Sequence, residues 1–173
     1  MSASKKPRKA YRPKWGLINP IQLAIEGATK PTPQQRDEIL KPFRACAKAL
    51  REGVATELQW GIVSGAVAMC RAVEKMGVMR GITGHLLLAD AALDEIYNRA
   101  KRTGTWKPTA LYYHELDALR DLNDIHAHQV HEMCRSEFDR ALKLATTAVM
   151  RQDNLVEVIR SGVRYEDIAG VAA

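Results

Sequence analysis

Apolar side chains in this chain recur at steps of three and four. Leu58, Ile62, Ala66, Met69, Val73 and Met76 fall on one face of a helix, as do Ile82, Leu86, Ala89, Leu93, Ile96 and Ala100. A third series runs Tyr112, Leu116, Leu119, Leu122, His126, Val130 and Met133. No stretch alternates apolar and polar residues for long enough to predict a strand. The pattern predicts an all-α fold.

Punctuation divides the pattern into elements. Asn19-Pro20 offers an N-cap followed by proline at the first helical position. Thr32-Pro33-Gln34-Gln35 and Thr56-Glu57-Leu58-Gln59 both read as capping boxes, in which threonine and glutamine each take an orphan backbone N–H. The helix opened at Thr32 should end at Gly53, with Pro42 breaking or kinking it. The next should run to Gly77, and another from Arg80–Thr83 to Gly104. A fifth is expected from Thr109, after Pro108, and Ser136-Glu137-Phe138-Asp139 suggests a restart. Asn154-Leu155-Val156-Glu157 would cap a last short helix before Gly162. Glycines 27, 53, 77, 104 and 162 fall where a left-handed C-terminal residue is wanted. These elements form a single-domain bundle of about six or seven helices over residues 19–161, with short loops and antiparallel neighbours. A flexible basic arm (1–18) precedes it and a loosely ordered tail (162–173) follows.

The helix from Thr56 is expected at the centre. It carries no charge from Leu58 to Cys70, 13 residues, too short a run to cross a bilayer. Its small residues Gly61, Ser64, Gly65 and Ala68 would let another backbone approach, inside the bundle or across a homodimer seam. The N-terminus has no apolar stretch of the kind a secretory signal needs. Three widely spaced cysteines (Cys46, Cys70, Cys134) read as reduced thiols, so a cytoplasmic, non-membrane protein is expected.

Charge is unevenly distributed. The formal net charge is +6, yet Lys5, Lys6, Arg8, Lys9, Arg12 and Lys14 are six bases with no acid among residues 1–14. Setting those six aside from the 26 bases leaves 20 against 20 acids, a neutral body. Like charge together with Pro7 and Pro13 disfavours compact folding of the arm by itself. Its bases can neutralise phosphates, with Tyr11 and Trp15 stacking on bases. It can equally dock on a protein partner or on its own body, or serve as a solubilising tail. A second basic-aromatic segment, Lys101, Arg102, Trp106 and Lys107, suits a nucleic-acid or partner contact. A helix C-terminus is also basic for ordinary dipole reasons.

Candidate chemistry concentrates in Asp121–Cys134. On a helix, His128 shares a face with Asp124, His131 and Glu132, making His128, His131 and Glu132 the candidate metal ligands. One helix supplies two ligands comfortably and zinc needs three or four, so further ones would come from His85, His114 or another carboxylate. The competing reading is stronger: Arg120, Asp124, His128 and Glu132 step by four as a solvated mixed-charge face. His126 then lies on the apolar side, as a hydrogen-bonded core histidine with Asn123 or Gln129 nearby. Cys134 near His131 lacks the third group a nucleophilic pair needs. Glu95 and Arg99 read as a four-step ion pair. The chain carries no glycine-rich phosphate loop, nucleophile elbow or dinucleotide fingerprint. No cofactor and no catalytic residue are expected.

The arm motif Tyr11-Arg12-Pro13-Lys14, then Asn19-Pro20, and Leu122-Asn123 ahead of His126 and Gln129 resemble small uncharacterised helical proteins of proteobacterial phages, prophages and plasmids. The resemblance implies a non-enzymatic accessory protein of a mobile element that binds a host or defence protein or ribonucleoprotein and blocks it, as an anti-CRISPR or anti-restriction factor does. It carries no catalytic residue over to this chain. The alternative is a nucleic-acid-binding accessory protein that uses the basic arm.

Overall fold

A computed structural model describes residues 19–151. It contains α1 (Pro20–Ala28), α2 (Pro33–Arg51), α3 (Glu57–Lys75), α4 (Thr83–Lys101), α5 (Tyr113–Glu132) and α6 (Arg135–Arg151), and no strand among the described residues. The arm, the tail and the helix expected from Asn154 lie outside them.

Helix α3 is central, in contact with α2, α4, α5 and α6. One core joins α2 to α5 through α3 and α4, around Phe43, Leu50, Val63, Leu86, Leu93, Ile96 and Leu122. A second lies between α3 and α6, around Met69, Val73, Met133, Ala141 and Ala145. The periodic series on α4 is buried throughout. On α5 the buried stripe enters through Glu115 and Ala118, while Tyr112 stays exposed and Leu116 half-buried. Gly65 does not mark a tight approach, since a Cβ there would meet nothing within 4 Å.

Both capping boxes form. Gln35 N–H donates to Thr32 Oγ1 and Gln59 N–H to Thr56 Oγ1, while each glutamine side chain accepts the threonine's own N–H. Helix α4 is capped from α3: Glu74 Oε1 accepts from Ile82 N, Thr83 N and Thr83 Oγ1. Cys134 N–H donates to Glu137 Oε2 and opens α6.

Of the break or kink expected at Pro42, the break is absent: α2 continues to Arg51 and stops at Gly53 as expected. Leu40, Phe43, Cys46 and Leu50 bury the stripe around it, and that packing outweighs the ~3 kcal/mol an interior proline costs. Helix α5 starts at Tyr113 and not at Thr109, because Arg99 holds Thr109 Oγ1 and Ala110 O while Glu115 takes the Tyr112 N–H. Gly27 is a helical residue inside α1, and the positive-φ stops are Gly53, Gly77 and Gly104, with Gly81 added ahead of α4.

Candidate functional site

Helix α1 is apolar and buries nothing. Its sequence PIQLAIEGA is started by Asn19, whose side chain accepts from Ile21 N, and by Pro20. Ile21, Leu23 and Ile25 are 69, 59 and 63% exposed. The helix rests on α6: Thr29 O accepts from Arg135 N, and a Cβ at Gly27 would reach Ser136 Cβ at 3.4 Å. Beside it, where the α1–α2 connection meets α5 and α6, opens a groove of about 550 Å³. Pro31, Ile39, Val130, Met133 and Phe138 give it apolar walls, and Glu26, Glu38 and Asp139 bring acids to its lining. Ile21 and Ile25, four residues apart, share one face of α1, and exposed apolar surface of this kind marks interaction sites.

The basic-aromatic turn is built into the fold. Trp106 is half-buried, donates from Nε1 to Ala55 O at 2.7 Å, and sits 6.4 Å from the Trp60 ring and 6.1 Å from Tyr97. Trp60 in turn donates to Leu93 O. Lys101 is paired with Glu57 at 2.8 Å. Arg102 and Lys107 remain exposed, and the Lys107 N–H returns to Ala100 O. Trp106 therefore packs against α3 and α4 with one part of its ring and leaves the rest in solvent.

The expected Glu95–Arg99 pair gives way to another. Arg99 makes a bidentate contact with the fully buried Glu115, at 2.8 and 2.7 Å, and lies 4.4 Å over the Tyr112 ring. The hydrogen bond to Glu115 pushes the guanidinium pKa further up. Glu95 meets His114 at 2.9 Å instead. Ligand atoms of Glu95, His114 and Glu115 lie within 4.8 Å of one another. Both Glu115 oxygens already accept from a guanidinium, so a cation entering there would displace Arg99 and strand its charge. The cluster reads as an ion-pair network, and nothing in the sequence marked Glu115 apart from a solvated first-turn acid.

The histidine-rich helix divides as its periodicity implies. Arg120, Asp124, His128 and Glu132 are all exposed. His128, His131 and Glu132 do not assemble a ligand cluster: His131 Nδ1 contacts Glu132 Oε1 at 2.8 Å and Lys30 Nζ occupies the other oxygen at 3.0 Å. Those bonds, Lys30 foremost, hold the Glu132 carboxyl down at about 2. Cys134 lies beyond the end of α5 and faces Ser136 Oγ at 3.2 Å, not His131. His126 is buried as expected, with a different partner. Its Nδ1 lies 3.8 Å from Cys70 Sγ and its ring meets Phe43 edge-on at 5.1 Å, while Asn123 bonds Asp124. Gln129 Nε2 donates to Cys70 O. Burial pushes His126 down to about 4 and the Cys70 thiol up to about 12. Both are neutral near pH 7, the opposite of an activated thiolate–imidazolium pair.

The remaining expected contact residues, Lys5, Lys6, Arg8, Lys9, Tyr11, Arg12, Lys14 and Trp15, lie outside the described residues. No described helix is long and apolar enough to cross a membrane. Compared with known proteins, the chain matches no family model, no curated protein and no solved structure.

Proposed function

We propose that this is a non-enzymatic helical protein that binds a protein or ribonucleoprotein of a host or defence system and blocks it by occupying a surface, in the manner of an accessory protein of a mobile element. The observation that carries the reading is α1, where three large aliphatic side chains stand in water on a helix with no buried residue. Each such side chain left exposed forgoes about 1.5–3 kcal/mol of burial, which a partner can recover. A short helix presenting apolar anchors beside a groove suits helix-mediated docking.

The test is affinity capture with the full chain and with Ile21→Asp/Ile25→Asp, followed by reconstitution of the captured partner. The expected result is a stoichiometric partner retained by the parent and lost by the variant, whose activity falls when the parent is added. Capture of the same partner by both proteins would overturn the reading. So would a reconstituted partner that works equally well with the parent bound.

A further inference from the structure

Within the neutral body, α2 carries a cation-rich stripe. Along α2, Lys41, Arg44, Lys48 and Arg51 step by three, four and three, so they share one face over about 15 Å of helix. Three of them, Arg44, Lys48 and Arg51, reach a groove of about 600 Å³ between α2 and α5. The α5 wall adds Arg120, Asn123 and Tyr113, and Leu116, Leu119 and Ala47 complete the lining. Tyr113 is 80% exposed.

The acids nearby are Asp117, in the lining itself, Asp37 and Glu38 in the first turns of α2, which share a shallow hollow with Lys41, Arg44 and Lys48, and Glu52 just after α2. Asp117, Asp37 and Glu52 pair with Arg120 at 3.1 Å, Arg44 at 3.5 Å and Lys48 at 3.8 Å. All three pairs are solvent-exposed, and pairs of that kind hold so weakly that a phosphate can replace the carboxylate. What remains is a row of cations about 5 Å apart along the helix axis, matched to a repeating polyanion better than to one carboxylate. An unburied aromatic ring at the same groove adds a π-face for an unstacked base. A charged channel with a stacking ring is the arrangement by which single strands are held without sequence readout.

We infer that the α2–α5 groove is a binding site for single-stranded nucleic acid, with Arg44, Lys48, Arg51 and Arg120 on the sugar-phosphate backbone and Tyr113 as the platform for one base. The bases of a duplex are already stacked and cannot use Tyr113, so single strands bind more tightly than duplex of equal length. The site uses none of the α1 surface, and the two readings stand or fall separately.

Fluorescence anisotropy with labelled U15, dT15 and a 15-base-pair duplex tests it, using the full chain and titrating salt upward from 50 mM. The full chain should bind one or both single strands, the difference between them reporting a preference for ribose or deoxyribose. Lys48→Glu/Arg51→Glu should weaken binding at least ten-fold and lower the slope of log K against log salt by about 1.4, since two phosphate contacts are lost. Tyr113→Ala, at a position too exposed to threaten folding, should weaken binding about ten-fold and leave the salt slope unchanged. The site is refuted by no binding at 50 mM salt, by equal affinity of the Tyr113→Ala and Lys48→Glu/Arg51→Glu proteins with the parent, or by duplex binding more tightly than single strands. A poly-glutamate 15-mer that competes as well as U15 would reassign the groove to an acidic protein partner.

Discussion

Between pH 7 and pH 5, acidification should weaken this protein chiefly through one side chain. His126 is buried beside Cys70 and against Phe43, and burial lowers its pKa from 6.5 to about 4. Below pH 6.5 the unfolded chain takes up a proton that the folded chain refuses, so stability is complete above that value and lost as the pH falls toward 4. At 1.36 kcal/mol per pH unit the loss reaches about 3 kcal/mol once both states are protonated, and it is already about 2 kcal/mol at pH 5. A small domain holds only about 5–15 kcal/mol in total, so a change of this size is readily measured. Urea melts at pH 7 and pH 5 on the parent and on His126→Gln would isolate it, because the other four histidines are common to both. The parent should lose about 2 kcal/mol more than the variant over that interval. The His126 ring protons should titrate near pH 4 in the folded protein. Parallel stability curves for the two proteins, or a ring titrating near 6.5, would refute the assignment of a buried neutral imidazole.

The other expectations are more local. Glu115→Ala should cost about 3 kcal/mol by urea melting, because it leaves the Arg99 guanidinium without its bidentate partner, whereas Glu95→Ala should cost under about 1 kcal/mol. Trp106→Phe should lower stability by about 1–2 kcal/mol in thermal melts by removing the bond to Ala55 O, and should leave nucleic-acid affinity unchanged. Under native conditions a thiol reagent should modify Cys134 first, with Cys46 and Cys70 reacting only on unfolding, as counted by intact mass. Thr56→Ala should remove about 1 kcal/mol, with the same loss at Thr32, measured as shifts in urea midpoint.

Local rules reach the fold and stop short of the site. Threonine at N-cap followed by glutamine three residues on, and glycine at a helix end, are signals whose cause lies within four residues. Thr32, Thr56, Gly53, Gly77 and Gly104 therefore behave as read. The series on α4 is buried to the residue for a similar reason, being enclosed by α3 and α5. Where the cause is distant, reading fails. Glu115 takes its role from Arg99, 16 positions back, and the same pair moves the start of α5 from Thr109 to Tyr113. Trp106 looked like a surface aromatic because its acceptor, Ala55 O, is 51 residues away. The α2 stripe was legible as steps of three and four, but averaging charge over residues 15–173 concealed it.

The two proposed surfaces differ in physics, and that difference orders the experiments. Contact through Ile21, Leu23 and Ile25 would be apolar, so its free energy should persist as salt rises. Contact through Arg44, Lys48, Arg51 and Arg120 releases counterions from a polyanion and must weaken steeply over the same range. A partner that is a ribonucleoprotein can engage both, and its salt dependence would then fall between the limits. In that case Ile21→Asp/Ile25→Asp should leave a residual interaction that is abolished by salt or by nuclease, while Lys48→Glu/Arg51→Glu should leave one that resists both. If each variant alone abolishes all binding at every salt concentration, the surfaces are not independent. That outcome would refute the separation of the α1 surface from the α2–α5 groove.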